Sequence, residues 1–371
     1  MLFCTPDIPH LLQTRLIELD DLRSRLGVEA GRPVQWMGTL RRLVRATSVE
    51  SSTSIEGFHV AQAEAVALVS GAKPADPEDV NRQAVACYAR AMDHVSVMAL
   101  DERFRWLDRV ILDLHFETCY FQRDKGPGRL REGPIAVTDE TGGIAYAAPG
   151  ADDVPGLMEE IVEWLATGDP GAPVVVRAAM AHLHLVSVHP FRDGNGRIAR
   201  ILQSLVLARE GIMTPEFGSI EEYLGRNTSA YFTALQTVQG GRYQPSRDAL
   251  PWVEFCVGAH LEQAGQRLRQ IEQAASRWSY LEHLVDGRGW PDRLVIALEQ
   301  SLIGGADRTS YVEEAAVSPA TASNDFRRLL DAGLVEQRGR GRNIRYYASP
   351  RLQGKISSDA GDSHGAAGPG P

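Results

Sequence analysis

The sequence predicts a mainly α protein: a helical core carrying one small β-hairpin, followed by a separate, smaller C-terminal domain. Three observations predict this. Apolar residues recur at helical spacing through most of the first 275 residues. One strand–turn–strand pattern interrupts them, at residues 133–147. From Arg293 onward, short helical runs give way to two strand-like segments around Arg338-Gly-Arg-Gly-Arg342.

Taken in order, Pro9 to Arg45 reads as helical segments broken at Gly27 and at Gly31-Arg32-Pro33. A further helix follows Ser51-Ser-Thr-Ser-Ile-Glu56-Gly57, over Val60 to Leu68. Pro77-Glu-Asp opens a helix to about Met98, with Val85, Tyr88, Met92 and Val95 on its apolar face, and Leu107 to Tyr120 is the next. Gly133-Pro-Ile-Ala-Val-Thr138 and Ile144-Ala-Tyr-Ala147 flank the glycine-bearing turn Asp139-Glu-Thr-Gly-Gly143, a hairpin by composition. Ala172 to Val188 is a buried helix. A second buried helix starts near Gly194 and runs to Gly211 through Ile198, Ile201, Leu202, Leu205 and Val206. Trp252 to Ile271 closes the series.

Composition bounds what these elements do. The 371 residues allow two or three domains, and no run of ~18 apolar residues exists to span a membrane. The start, Met1-Leu-Phe-Cys-Thr-Pro-Asp, lacks the basic and apolar regions of a signal peptide. Cys4, Cys87, Cys119 and Cys256 have no C-x-x-C spacing, so reduced thiols in the cytoplasm are expected. The net charge of −9 argues against wholesale coating of nucleic acid. No G-x-x-x-x-G-K-S/T occurs, which excludes a P-loop phosphotransferase.

The chemistry concentrates in His189-Pro-Phe-Arg-Asp193-Gly-Asn-Gly-Arg197-Ile-Ala-Arg200. His189 precedes a proline, which pushes it out of the helical region and ends the helix before it. Its imidazole, ordinarily near pKa 6.5, can take a proton from a hydroxyl near neutrality. Phe191 anchors the turn. Asp193 offers the hard oxygen that Mg²⁺ takes when it bridges phosphates. Gly194-Asn195-Gly196 lets backbone N–H groups face an anion at the positive end of the following helix. Arg197 and Arg200 stand three apart on its first turn, with guanidinium forks suited to phosphate. A polar loop between two core helices is the plainer alternative, but twelve residues of these types in one run argue against it. His182 and His184, two apart, face different sides of their helix and are expected to be satisfied core or surface groups, as is His115.

This string resembles the signature of the Fic family (filamentation induced by cAMP), H-P-F-x-D/E-G-N-G-R-x-x-R, and every fixed position matches. The resemblance covers roughly residues 5–275. It implies transfer of AMP from ATP to a protein hydroxyl, with pyrophosphate leaving. On that resemblance His189 is the base and Asp193 holds Mg²⁺. Gly194, Asn195 and Gly196 cradle the α- and β-phosphates, Arg197 supports them and Arg200 grips the γ-phosphate. The 133–147 hairpin matches the family's flap, whose exposed edge holds a target's main chain. Ser52-x-x-x-Glu56-Gly57 matches the inhibitory pattern S/T-x-x-x-E-G/N, so Glu56 is expected to pair with Arg200 and fill the γ-phosphate position. Its place before the core makes this a class II arrangement, with the inhibitory helix N-terminal.

Residues 293–347 resemble a winged helix-turn-helix, with Ser318 as N-cap, Pro319 at the first helical position and Ala320 to Leu330 as the helix offered to a major groove. The segment 291–348 carries eight Arg against eight Asp or Glu, and only its wing is locally basic, so a dimerisation or protein-contact module is the alternative.

The resulting expectation is a helical N-terminal region at 1–110 with its inhibitory helix near 48–57. A catalytic core follows at 111–275, then the winged helix at 276–348 and a structureless tail at 349–371. The partners expected are ATP, Mg²⁺, and a target protein with a Ser, Thr or Tyr hydroxyl. DNA would bind through the wing, and a homodimer is compatible with the chain though no residue pattern requires one. Rival readings are a Fic enzyme that removes AMP or uses another phosphate donor, and a DNA-binding regulator with a nucleotide-sensing core.

Overall fold

The computed structural model describes residues 1–362 except 75, 77, 139–141, 212–213 and 342–343. The described residues form two compact units. Unit 1 holds Met1–Glu29 and Val44–Arg267. Unit 2 holds Ala30–Leu43 and the chain from Leu268.

Five helices come first: α1 (His10–Ala30), α2 (Met37–Ser54), α3 (Gln62–Val69), α4 (Val80–Leu100) and α5 (Asp108–Cys119). The hairpin is β1 (Ala136–Thr138) and β2 (Ile144–Ala147), paired antiparallel from Ala136 opposite Ala147. Residues 139–141 of its expected turn lie outside the described residues. There follow α6 (Val154–Thr167), α7 (Val174–Val188), α8 (Asn195–Arg209), α9 (Pro215–Gly218), α10 (Glu221–Arg226), α11 (Thr228–Gln239) and α12 (Leu250–Asp286).

The centre of unit 1 is the pair α7 and α8. Every residue from Val175 to Val188 except Arg177 is buried, and in α8 only Gly196 and Arg209 are not. Helices buried all round cannot shed their polar groups to water, so most are paired inside. His182 bonds Gln203 Oε1 at 2.8 Å and the Tyr231 hydroxyl at 3.1 Å, and His184 bonds the Phe3 carbonyl at 3.1 Å. Trp252 Nε1 donates to the Ala179 carbonyl at 2.7 Å. Both histidines are thus buried core groups, His182 paired through both ring nitrogens and His184 through Nε2. Where α10 crosses the end of α2, Gly225 is required by space: a Cβ there would meet the Ser51 Cβ at 2.8 Å.

Unit 2 contains α13 (Leu294–Ile303), α14 (Arg308–Glu314), α15 (Pro319–Asp331), β3 (Val335–Arg338), β4 (Arg345–Ala348) and α16 (Pro350–Asp362). Val335 pairs with Ala348 and Arg338 with Arg345, antiparallel. Its core gathers Leu294, Leu298, Tyr311, Phe326, Leu329 and Tyr346, with Phe326 stacked on Tyr346 at 4.0 Å. Ser318 caps α15 by accepting the Thr321 N–H at 3.1 Å, with Pro319 beginning the helix. Arg293 forks onto Asp325, at 2.8 and 3.1 Å, and Tyr311 donates to the same carboxylate at 2.8 Å.

The structure departs from the sequence reading in four places. Gly27 does not break α1, since one glycine costs a helix only about 1 kcal/mol and packing outweighs it. Helix α12 continues past Ile271 to Asp286, and the units divide at Arg267 rather than at residue 275, inside a continuous helix that offers no linker to read. Residues 30–43 belong with the C-terminal unit. Finally, the expected structureless tail from 349 begins as helix α16, because Leu352 finds a place in the unit 2 core. Residues 363–371 lie outside the described residues.

Candidate active site

The loop that carries the sequence motif begins where α7 stops. His189 adopts a left-handed conformation, φ 52° and ψ 56°, which is uncommon for a residue with a Cβ and persists only where neighbours over-determine it. They do here. Its N–H bonds the Leu185 carbonyl at 3.0 Å, and its own carbonyl accepts Arg131 Nε at 2.8 Å. The buried Arg131 guanidinium also donates to the carbonyls of Gly133 (2.8 Å) and Pro149 (2.6 Å), tying the loop to both feet of the hairpin. The Tyr146 hydroxyl in β2 adds a bond to the Ser187 carbonyl at 2.5 Å. Phe191 is fully buried, and Asn195 folds back to bond its N–H and its carbonyl, at 2.9 and 2.8 Å.

His115 completes the scaffold. Its ring stacks on Phe191 with centroids 3.7 Å apart, its Nδ1 accepts the Gly128 N–H at 2.8 Å, and its Nε2 lies 3.0 Å from the Asp193 carbonyl. Burial pushes its imidazole down to about 4, so it stays neutral with Nε2 as donor. It is a positioning group rather than a ligand.

The N-terminal end of α8 follows. Gly194, at φ 81°, is fixed by conformation and by space, since a Cβ would come 2.4 Å from the Cys119 sulfur. The N–H groups of the first turn have no partner within the helix. Arg197 is buried between Phe58 and Phe121, its Cζ 5.2 and 5.6 Å from the ring centres. It reaches Gln122 Oε1 at 3.0 Å and Asp193 Oδ1 at 3.2 Å, while its Nε and Nη1 are buried without a partner. Asp193 is partly exposed. Its Oδ1 accepts the Gly194 N–H at 2.5 Å and its Oδ2 accepts Gln122 Nε2 at 2.6 Å, which leaves that second oxygen able to accept again. Among the described residues no three His, Cys, Asp or Glu form a metal cage. Mg²⁺ needs none, because it takes one or two carboxylates and completes its shell with phosphate oxygens and water. Asp193 fits that demand.

Ser52 and Glu56 meet Arg200. Helix α2 closes with the Phe58 N–H on the Thr53 carbonyl (3.1 Å) and the Gly57 N–H on the Ser54 carbonyl (2.9 Å), a pattern that puts Gly57 at φ 85°. That ending carries Glu56 to Arg200, with its Oε1 2.9 Å from Nη2. Ser52 accepts Arg200 Nε through its hydroxyl at 2.7 Å and Nη2 through its carbonyl at 2.9 Å. Gly196 makes room: a Cβ on it would lie 2.5 Å from Glu56 Oε1. Burial opposes the Arg200 charge, but Glu56, with Tyr231 and Tyr88 behind it, more than offsets this and raises its pKa.

Around His189 the same forces act on a base. Burial lowers its imidazole pKa, against the Val186 carbonyl and the Glu56 carboxylate, which raise it. Its Nδ1 lies 3.0 Å from the Val186 carbonyl, so Nδ1 carries the hydrogen and Nε2 is the free acceptor.

The structure therefore brings His189, Asp193, Gly194, Asn195, Gly196, Arg197 and Arg200 together with Ser52, Glu56 and Gly57. Sequence reading missed Arg131, Gln122, Phe58 and Phe121, and it did not place His115, the satisfied core group it expected, against the loop. Each stands alone in sequence, and only the fold carries it to the loop. A second layer was equally hidden. Tyr88 donates to the buried Glu221, whose other oxygen accepts the Ser219 hydroxyl at 2.9 Å. Arg267 donates to Glu222 and bonds Ser48 on α2 at 3.1 Å.

Comparison with known proteins agrees with this geometry. Residues 104–207 match the Fic/DOC family. Protein adenylyltransferase fic-1 of Caenorhabditis elegans is 26% identical over 284 residues, covering 71% of this chain and 48% of that protein. Protein adenylyltransferase Fic of Drosophila melanogaster is 25% identical over 324 residues, covering 77% and 60%. The chain thus spans about half to three fifths of these curated relatives' own length. A Fic family protein from Desulfovibrio desulfuricans shares the fold, with a TM-score of 0.59 at 19% identity, over 93% of this chain and 98% of that one. The twelve matched residues at 189–200 sit within residues 104–207 and on the helix pair at the centre of that region, and this part of the chain is a Fic domain.

Proposed function

We propose that this chain is a protein adenylyltransferase, moving AMP from ATP to a Ser, Thr or Tyr hydroxyl of a target protein and of itself, and restrained by Glu56. One observation carries the reading. An imidazole with one free nitrogen adjoins an anion site whose buried arginine N–H groups have no partner. His189 Nε2 takes the proton of the target hydroxyl. The hydroxyl oxygen bonds the α-phosphorus, the bond from that phosphorus to the β-phosphate oxygen breaks, and pyrophosphate leaves. The N–H groups of the first turn of α8 face the phosphates, Arg197 adds charge beneath them and Arg200 holds the γ-phosphate. Asp193 would hold Mg²⁺, which when bound neutralises phosphate charge. The relatives' name, protein adenylyltransferase, supports the same reaction, and four unpaired cysteines support a cytoplasmic setting.

The restraint is electrostatic and steric. While Glu56 sits on Arg200, the γ-phosphate loses both its space and its cation. ATP then binds misaligned, and a displacement of ~1 Å costs on the order of 10²-fold in rate. Glu56→Gly should raise self-labelling from α-labelled ATP far more than it raises ATP affinity. Adding His189→Ala should remove that gain, a loss of ~10²–10⁴ in rate with ATP binding retained. A Glu56→Gly protein that is folded yet no more active than wild type would refute the restraint. Reduced removal of AMP in that variant would instead favour Glu56 as a base for hydrolysis.

A further inference from the structure

We propose that a basic cleft beside the catalytic loop reads an acidic segment of the protein that receives the nucleotide; the inference rests on the transfer reading above. The cleft measures about 670 Å³ and is built from residues 123–126 and 129–135 together with Arg192. Arg192 lies in the catalytic loop itself, two residues before Gly194. Its opposite lining leads into the hairpin at Gly133, and Arg131 ties that foot to the His189 carbonyl. A chain that delivers a hydroxyl to His189 therefore has this cleft next to it.

The lining is basic. Arg123, Lys125, Arg129, Arg131 and Arg192 face only Asp124 and Glu132. Arg131 is spent on backbone carbonyls, and Arg123 lies over the Tyr120 ring and bonds its hydroxyl at 3.0 Å. Lys125 has Asp124 at 3.6 Å, exposed. Arg129 and Arg192 are exposed, and their side chains make no hydrogen bond or ion pair among the described residues. Unspent cationic charge in a concave site, on a chain of net charge −9, focuses potential on that spot and draws carboxylates. The nucleotide has its own donors in the α8 terminus, Arg197 and Arg200, so the cleft is surplus to ATP. An acidic peptide stretch flanking the modified hydroxyl is the partner whose charge and shape fit.

The test uses the full chain and two labelled nonapeptides, a central serine flanked by glutamates and its lysine-flanked counterpart. Fluorescence anisotropy at low salt should show the glutamate peptide bound at least ten-fold more tightly, with affinity falling as salt rises. Lys125→Glu with Arg129→Glu should weaken it by on the order of ten-fold while leaving ATP affinity unchanged. Equal binding of both peptides, binding of neither, or a preference untouched by the reversal would overturn the proposal. So would a matching loss of ATP affinity, which would assign the cleft to the nucleotide. Self-labelling by Glu56→Gly is scored in parallel. A glutamate preference without any transfer would sink the enzymatic reading and support the cleft.

Discussion

Ser52 shows how far a single hydroxyl reaches. Its oxygen accepts Arg200 Nε and its carbonyl accepts Nη2, and Tyr88, which also acts on the Arg200 charge, donates to Glu221. Arg200 is held by Ser52, while Tyr88 is anchored on a buried carboxylate. The end of α2 is thus held at Arg200 by more than the Glu56 pair. Tyr88→Phe keeps the ring and leaves the buried Glu221 short of a partner, a cost of about 1–3 kcal/mol. If α2 restrains the enzyme, that variant should raise self-labelling several-fold in an otherwise wild-type chain. It should add nothing to Glu56→Gly. Labelling rates of the four proteins decide, and a loss of activity in the Glu56→Gly background would mean that Tyr88 instead orients Arg200 for catalysis. The sequence made Glu56 legible because its pattern is local, five residues from Ser52 to Glu56. Tyr88 and Glu221 carry no local signature, and only the packing of α4 and α10 on α2 brings them there.

Elements follow the same division between local and distant causes. The start of α15 was legible because Ser318 and Pro319 act within one turn of themselves. The length of α12 and the helix α16 were not, since each depends on an apolar face finding a remote core. Helix α15 buries Ala322, Asp325, Phe326 and Leu329 and exposes Ala320, Asn324, Arg327 and Arg328. Asp325, the acid that would repel a phosphate, is occupied by Arg293 and Tyr311. Beside it Arg338 and Arg340 are exposed, and Arg342 lies outside the described residues. If unit 2 is a winged helix that docks α15 in a major groove, Arg327, Arg338 and Arg340 reach phosphates. Neutralising all three should then flatten the dependence of log affinity on log salt by roughly 0.9 for each phosphate that goes unneutralised. Titration of a labelled duplex at several salt concentrations measures this. Unchanged slopes, or no binding at low salt, would favour a protein-contact role for these elements.

Across the whole chain, the two units differ in how they should respond to acid. Unit 1 buries His115, His182, His184 and His260. Burial pushes the first three down to about 4, about 3 and about 4, and His260 well below its ordinary 6.5. A histidine whose folded pKa lies below its unfolded value binds fewer protons when folded. Its contribution is therefore fully present above pH 6.5 and is lost as pH falls toward the folded value, about 1.4 kcal/mol per pH unit for each group. Glu50 and Glu221, raised by burial, act in the opposite sense as they protonate, but two groups offset only part of four. In unit 2 the only histidine among the described residues is His283, which is exposed. Lowering the pH from 8 to 5.5 should thus loosen unit 1 by several kcal/mol and unit 2 by far less. Hydrogen exchange, corrected for the intrinsic pH effect, reads this directly: amides of α7 and α8 should lose protection while those of α13 and α15 keep most of theirs. Equal losses in both units would refute the assignment. Because α7 and α8 flank His189 and the proposed anion site, the same acid step should abolish label transfer by Glu56→Gly before it melts unit 2.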